Sequence, residues 1–269
     1  MTGCWHRVPP GSLGGQDGDV IEARDRFRVL IADGLARFDA TSLARMQNRK
    51  PDRIAVSNAV DRSTPRQWRH AVRTLDAFAP VWPVVGRGER RRDARLRGFF
   101  AAWPNVGIPV LSEPVSWYAV DVQTNDVRWR WVVCDSDAGA LGRAWLDERS
   151  WLPKAVSDDR VDRLIVALNG AATGTEPLLE LLRNHASADK VILAIAYGTG
   201  TPEFVTRGGR WGEGRLHPSP LPAGGWWTID LEASGLTITA ERPLGQPVLH
   251  NWTPGTGWVM NQLATKGEG

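Results

Sequence analysis

RFRVLIAD, residues 26–33, is a short apolar run closed by an aspartate. Apolar residues at consecutive positions read as a strand covered on both faces, the habit of a parallel sheet. DATSLARMQNRK (39–50) follows with helical spacing and Thr41 or Ser42 as its N-terminal cap, and RIAVSNAV (53–60) is a second strand. In TPRQWRHAVRTLDAF (64–78), Trp68, Val72, Leu75 and Phe78 share one helix face, and Pro65 lies in the first turn. VWPVV (81–85) is the third strand. This alternation predicts a layered α/β fold with parallel strands.

The rhythm continues in the second half. VSWYAVDV (115–122) and VRWRWVVCD (127–135) read as adjacent strands joined by the turn QTND, and LGRAWLDERSWLPKA (141–155) as a helix. RLIVALNG (163–170) and KVILAIAYG (190–198) are buried strands separated by the helix EPLLELLRNHA (176–186). After the Gly/Pro-rich segment 207–225, WWTIDLEA (226–233) and GLTITAERP (235–243) form an alternating hairpin around Ser234-Gly235. The organisation expected is an N-terminal extension over 1–26, one domain over 27–240 and a C-terminal tail over 241–269. No internal repeat is visible.

Composition narrows the function classes. The 269 residues carry a net charge of +3, and only four of the 33 basic residues are lysines. Arginine suits bidentate contacts to carboxylate or phosphate. No stripe of interleaved basic and aromatic residues appears along the chain, so nucleic acid is not an expected partner. Two cysteines exclude a disulfide framework or a cysteine-rich zinc site, and Cys134 reads as a buried small hydrophobe. There is no apolar segment of signal-peptide length near the start and no membrane-spanning run, so a cytoplasmic location is expected. The 14 tryptophans read mainly as core filling. No Ser-His-Asp order, phosphate-binding P-loop or dinucleotide-binding glycine pattern is present.

Candidate chemistry sits at strand ends. Asp33 closes the first strand, Asn58 and Asp61 follow the second, and Gly86-Arg87-Gly88-Glu89 follows the third. Asp135 and Asp137 follow VRWRWVVC, where the plain reading is a turn whose carboxylates cap the next helix. Asn169 ends RLIVALN, and Gly198 and Gly200 in GTGT offer backbone N–H groups to an anion. ERRRDARLR (89–97) reads as a solvated helical face, with binding of phosphate or an acidic protein as the alternative.

The order of these elements resembles the calcineurin-like metallophosphoesterases over about residues 27–240. SNAVDRSTPRQW is similar to the segment carrying Gly-Asp-x-Val-Asp-x-Gly. PVWPVVGRGERRRDARLRGFFAAWPNVGIP is similar to the segment carrying Gly-Asn-His-Glu, and SWYAVDVQTNDVRWRWVVCDSDAGALGRAWLDERSWL (116–152) to that family's strand pair, Leu-Asp-Ser strand end and Gln-x-x-Trp-Leu helix. The resemblance implies a four-layer α/β/β/α sandwich with metal ligands on loops after successive strands. It also implies that most ligands are missing. Asp33 matches the first aspartate, but Leu35 stands for the histidine after it and Asn58 for the bridging aspartate, while Asp61 persists. Arg87 and Gly88 replace Asn-His, with Gly86 and Glu89 kept; Asn169 replaces a lone histidine; AYGTGTPEF replaces Gly-His-x-His and has no histidine.

Two cations about 3.5–4 Å apart need anionic bridging and several imidazole or carboxylate ligands. An amide in place of the bridging carboxylate removes charge, and a permanent guanidinium at 87 adds repulsion. The expectation is a pseudoenzyme with a binding, scaffolding or regulatory role and no cofactor, the vestigial site comprising Asp33, Asn58, Asp61, Arg87, Glu89 and Asn169. Arg87, Gly198 and Gly200 are the candidates for a phosphate-bearing ligand. The alternative is a phosphoesterase with a rebuilt or single-metal site (Mn, Fe, Zn or Mg) using Asp33, Asp61, Glu89 and Asp135. The five histidines are placed on the arm, helices or Pro-rich loops. Trp5, Trp211, Trp252 and Trp258 are candidates for an interface with a protein partner or a second copy.

Overall fold

The computed structural model describes residues 20–35, 38, 40–60, 64–93, 95–103, 116–135, 151–169, 188–197, 202–208, 210–216, 226–241 and 248–262. The first half alternates as its sequence demands. After β1 (Ile21–Ala23) come β2 (Arg26–Asp33), α1 (Ala40–Asn48), β3 (Arg53–Ser57), α2 (Pro65–Asp76) and β4 (Val81–Pro83). Two short helices follow, α3 (Arg87–Arg92) and α4 (Arg97–Ala102). Next come the hairpin β5 (Tyr118–Thr124) and β6 (Val127–Cys134), then β7 (Arg163–Asn169) and β8 (Val191–Tyr197). The chain continues through β9 (Pro202–Gly208), β10 (Arg210–Leu216), β11 (Trp226–Glu232), β12 (Gly235–Glu241), β13 (Val248–Thr253) and β14 (Gly257–Gln262).

The strands form two seven-stranded mixed sheets, ordered β1-β5-β6-β7-β8-β9-β10 and β14-β13-β12-β11-β2-β3-β4. β2, β3 and β4 pair in parallel, as do β6, β7 and β8. Side-chain alternation divides the first sheet cleanly. Trp129, Trp131, Val133, Ile165, Ala167, Leu193 and Ile195 belong to the core shared with the second sheet. Val132, Cys134, Leu164, Val166, Leu168, Ala194 and Ala196 pack outward with Trp151, Leu152, Ala155 and Val156 of a helical segment over 151–156. On the outer side of the second sheet, Leu30, Ala32 and Ile54 meet Leu43 and Met46 of α1 and Leu75 of α2. The result is the α/β/β/α order of layers that the resemblance implied.

Aromatic side chains join the two sheets. Trp82 of β4 stacks on Phe27 of β2 at 5.7 Å between centroids and meets Trp131 of β6 at 5.3 Å. Phe204 of β9 meets Trp227 of β11 edge-on at 4.9 Å. Buried in the outer half of the first sheet, Arg130 donates from Nε and Nη2 to both oxygens of Asp121, from Nη2 to Asp158, and from Nη1 to the Ala155 carbonyl. This places an ion pair, rather than an apolar side chain, between β5–β6 and the 151–156 segment. Desolvation pulls the guanidinium pKa down, but the two carboxylates outweigh it and keep Arg130 charged.

Several local expectations shift. α1 starts at Ala40, so Thr41 and Ser42 lie in its first turn, with Ser42 buried. For α2, Thr64 Oγ1 accepts the Gln67 N–H at 3.3 Å with Pro65 at the first helical position. Residues 248–262, taken above as a tail, are two strands at the edge of the second sheet, and β1 brings residues of the extension into the first. β9 and β10 carry antiparallel pairing to Leu216, into the segment read as a Gly/Pro-rich loop. His250, expected on a loop, lies buried on β13, where desolvation lowers its pKa. Trp252 and Trp258 are half-buried rather than free, and Trp252 packs against Trp129 with Arg163 over both rings. Trp5 lies outside the described residues, as does the side chain of Trp211. Among the described residues no helix is long and apolar enough to cross a membrane.

Because Trp82 bridges Phe27 and Trp131 across both sheets, Trp82→Ala is expected to cost about 3–5 kcal/mol. Chemical denaturation measures this, and a loss under about 1 kcal/mol would mean that the sheets hold without the aromatic bridge.

Candidate functional site

Six parallel strands end at one place. β2, β3 and β4 deliver Asp33, Ser57-Asn58 and the Gly86–Glu89 turn; β6, β7 and β8 deliver Asp135, Asn169 and Tyr197. Strand alternation aims these side chains between the sheets. Asn169 continues the Ile165, Ala167 row, Tyr197 the Leu193, Ile195 row and Asp135 the Trp131, Val133 row, while Ser57 is the register partner of Asp33. Carboxyl ends of parallel strands are where open α/β sheets gather ligands, because the loops there are free to diverge.

Asn58 is the hinge of this cluster. Its backbone is left-handed at φ 49°, a region that asparagine enters more easily than most residues. Its Nδ2 donates to Asp33 Oδ1 at 2.7 Å, and its Oδ1 accepts the Gly88 N–H at 3.1 Å. The carboxylate only accepts and the backbone N–H only donates, so the orientation of the amide is fixed by its partners. Gly86 is required beside it, since a Cβ there would lie 2.2 Å from Asn58 Oδ1. Glu89 closes the turn by the return half of a capping box, accepting the Gly86 N–H at 2.8 Å through Oε2.

Across the gap, buried Asp135 receives three donors. Asn169 Nδ2 donates to Oδ1 at 2.6 Å, and Arg90 and Ser116 both donate to Oδ2. Arg90 belongs to α3, which follows the second sheet, whereas Asp135 ends a strand of the first, so this ion pair ties the two halves of the site together. Tyr118 adds a second tie, donating to the Pro83 carbonyl at 3.1 Å. Arg90 was read as part of a solvated face and Asp135 as a helix cap. Both are instead buried against each other, because a strand-end carboxylate facing the core needs a cation or several donors.

The electrostatics are those of a nearly dry site. Glu89 has its pKa pushed up to about 7, burial outweighing the amides of Gly86, Val60 and Ala59, with Asp33 pushing in the same direction as burial. Those last two amides lie near, yet Oε1 makes no well-formed hydrogen bond. Tyr197 is held well above its ordinary pKa by burial and then by Asp33, and Tyr118 by burial and then by Tyr197. The Tyr197 hydroxyl and Ser57 Oγ are also buried without a partner.

Of the sequence-derived candidates, Asp33, Asn58 and Glu89 meet in one half of the site and Asn169 in the other. Leu35 turns away into an apolar pocket with Leu30, Phe38, Leu43 and Met46. Asp61, Asp137, Gly198 and Gly200 lie outside the described residues, and for Arg87 the backbone alone is described. Sequence reasoning missed Arg90, Ser57, Ser116 and Tyr197. The position of Tyr197 as the last residue of an apolar run was the available signal for it. Among the described residues, no three His, Cys, Asp or Glu side chains gather as a metal-holding group.

No family model and no curated protein sequence matches the chain. Solved structures similar to it include the NAD nucleotidase of Haemophilus influenzae, at 10% identity and TM-score 0.48, covering 88% of this chain and 54% of that enzyme. The chain thus spans about half the length of that enzyme. A Streptococcus pneumoniae protein described as a predicted phosphoesterase is similar at 9% identity and TM-score 0.33, covering 85% of this chain and 99% of its own. A hypothetical protein of Thermus thermophilus is similar at 11% identity and TM-score 0.39, covering 84% of this chain and 99% of its own. At these scores the likenesses carry no argument about activity.

Glu89 supplies a pH test. With its pKa raised from 4.5 to about 7 in the folded state, the folded chain binds more protons than the unfolded chain between those values. Stability contributed by the neutral form is therefore full below that window and declines as pH rises through about 7. Glu89→Gln, which resembles the protonated form, is expected to flatten the decline between about pH 5 and pH 8 in thermal unfolding. An unchanged decline would assign it to another group.

Proposed function

We propose that the chain is a non-catalytic member of the metallophosphoesterase-like architecture, acting as a binding, scaffolding or regulatory protein whose own hydrogen bonds occupy the place of a dinuclear metal centre. The observation that carries this reading is the Asn58 amide seated on Asp33. A bridging position needs an anionic oxygen shared by two cations. Here the group facing Asp33 is an N–H donor, and the amide oxygen is engaged by Gly88. Arg90 brings a permanent positive charge to Asp135, where it repels an incoming cation. Leu35 supplies hydrocarbon on the wrong side of the strand. The described residues do not fit two transition-metal ions, so no chemical step is routed through such a centre.

A second reading draws on the unpartnered Ser57 Oγ, Glu89 Oε1 and Tyr197 hydroxyl. Buried polar atoms without partners cost free energy unless something engages them, and a rebuilt hydrolase site would use them on substrate. The first reading is favoured because it accounts for both carboxylates that a hydrolase would need to keep available.

Metal content and activity separate the two. The purified protein is expected to hold substoichiometric Mn, Fe and Zn and to leave p-nitrophenyl phosphate and bis(p-nitrophenyl) phosphate intact with Mn²⁺ added. Two tightly held equivalents of metal, or turnover lost on mutating Asp33, would overturn the reading. Asn58→Asp places two carboxylates in contact, so its melting temperature should fall below wild type without metal and recover with Mn²⁺. Wild type should not respond to the ion.

A further inference from the structure

α2 packs Leu75 on the outer face of the second sheet, and α4 packs beside it, locked by Trp68 against Phe99 at 6.2 Å and against Trp103 at 5.4 Å. Trp68, Ala71 and Leu75 face inward from α2, and Phe99 and Ala102 from α4. The outward positions are arginines. Arg66, Arg69 and Arg73 form an i, i+3, i+7 stripe on α2, and Arg92, Arg95 and Arg97 line the neighbouring α3–α4 segment; all six are exposed. None of the six pairs with a carboxylate among the described residues. Of the acidic residues beside them, Asp93 is engaged by the Gly98 N–H, and Asp76 ends α2. His70 is exposed on the same face of α2.

We propose that this helical face binds the phosphate backbone of duplex nucleic acid, without reading its sequence. Three observations favour a polyanion of this kind. First, Arg66 to Arg73 rises about 10 Å along the helix, which matches the axial rise of about three base-pair steps. Second, arginine's fork matches phosphate oxygens in pairs. Third, the face has no apolar centre. Protein interfaces concentrate aromatic and aliphatic anchors at their middle and exclude charge there, whereas the one large hydrophobic residue that is exposed among the described residues is Val259, on β14. The absence of exposed aromatic rings on these helices also argues against stacking on unpaired bases, and so for a duplex. The two arginine groups lie apart in the sequence, and the contact of Trp68 with Phe99 and Trp103 brings their helices together.

The inference is independent of the strand-end site, and its test uses the full chain. Fluorescence anisotropy with a labelled duplex of arbitrary sequence, about 25 base pairs long, reads binding across a salt series. Six phosphate contacts predict a slope of log K against log salt of about −5 and a loss of about 1000-fold between about 50 and 200 mM salt. Arg66→Gln/Arg69→Gln/Arg73→Gln should reduce the slope to about −3, and Arg92→Gln/Arg95→Gln/Arg97→Gln should act alike. Arg26→Gln, on the exposed start of β2, should leave it unchanged. Circular dichroism checks that each variant is folded, and the two independent triple variants guard against failure of one. No binding to duplex at low salt, binding that survives both triple variants, or binding to phosphatidylserine vesicles or polyglutamate in place of duplex would overturn the proposal.

Discussion

One side-chain amide organises the strand ends. Asn58 donates to Asp33 at the end of β2, accepts from Gly88 at the start of α3, and itself follows β3. Three parallel strand ends are thereby fixed through a neutral group beside the buried carboxylate of Asp33. The fit is tight on the other side as well, since Gly86 leaves no room for a side chain against Asn58. An aspartate at 58 would turn an attraction into a repulsion between neighbouring carboxylates, which only a cation could offset.

The opposite half of the site follows the same logic with a different donor set. Asp135, fully buried, is supported by Asn169, Ser116 and Arg90. Arg90 reaches it from α3, which follows β4 of the other sheet, so the ion pair is also a tether between layers. Removing one partner of such a buried pair strands the other charge, which costs far more than the pair contributes while intact. The aromatic bridge through Trp82 performs the apolar counterpart of that tether deeper between the sheets. The strand-end polar cluster therefore sits on an apolar platform, with the ionised forms of Glu89 and Tyr197 disfavoured by burial and by the charge on Asp33.

How much of this was legible in the sequence depends on the range of the interaction. β2, β3, β6, β7 and β8 announce themselves as apolar runs because each is covered on both faces, and α2 by its spacing and its first-turn proline. β9, β10, β13 and β14 carry glycine and polar residues, so their pattern is weak, and partner strands decide their state. At the site, Asp33, Asn58, Glu89 and Asn169 could be picked out because each closes or follows such a run. Arg90 could not, since nothing in ERRRDARLR distinguishes the one arginine that turns inward; its partner lies 45 residues away on another sheet. Asp135 was read as a cap for the same reason: its neighbours in sequence suggest a turn, and its neighbours in space are Arg90, Ser116 and Asn169.

A crystal structure grown with excess Mn²⁺ and measured at the manganese absorption edge decides most directly whether side chains fill the place of the metals. No anomalous peak is expected between Asp33 and Asp135, with Asn58 Nδ2 still on Asp33 and Arg90 still on Asp135. Two anomalous peaks about 3.5–4 Å apart, with the Asn58 and Arg90 side chains displaced, would contradict it.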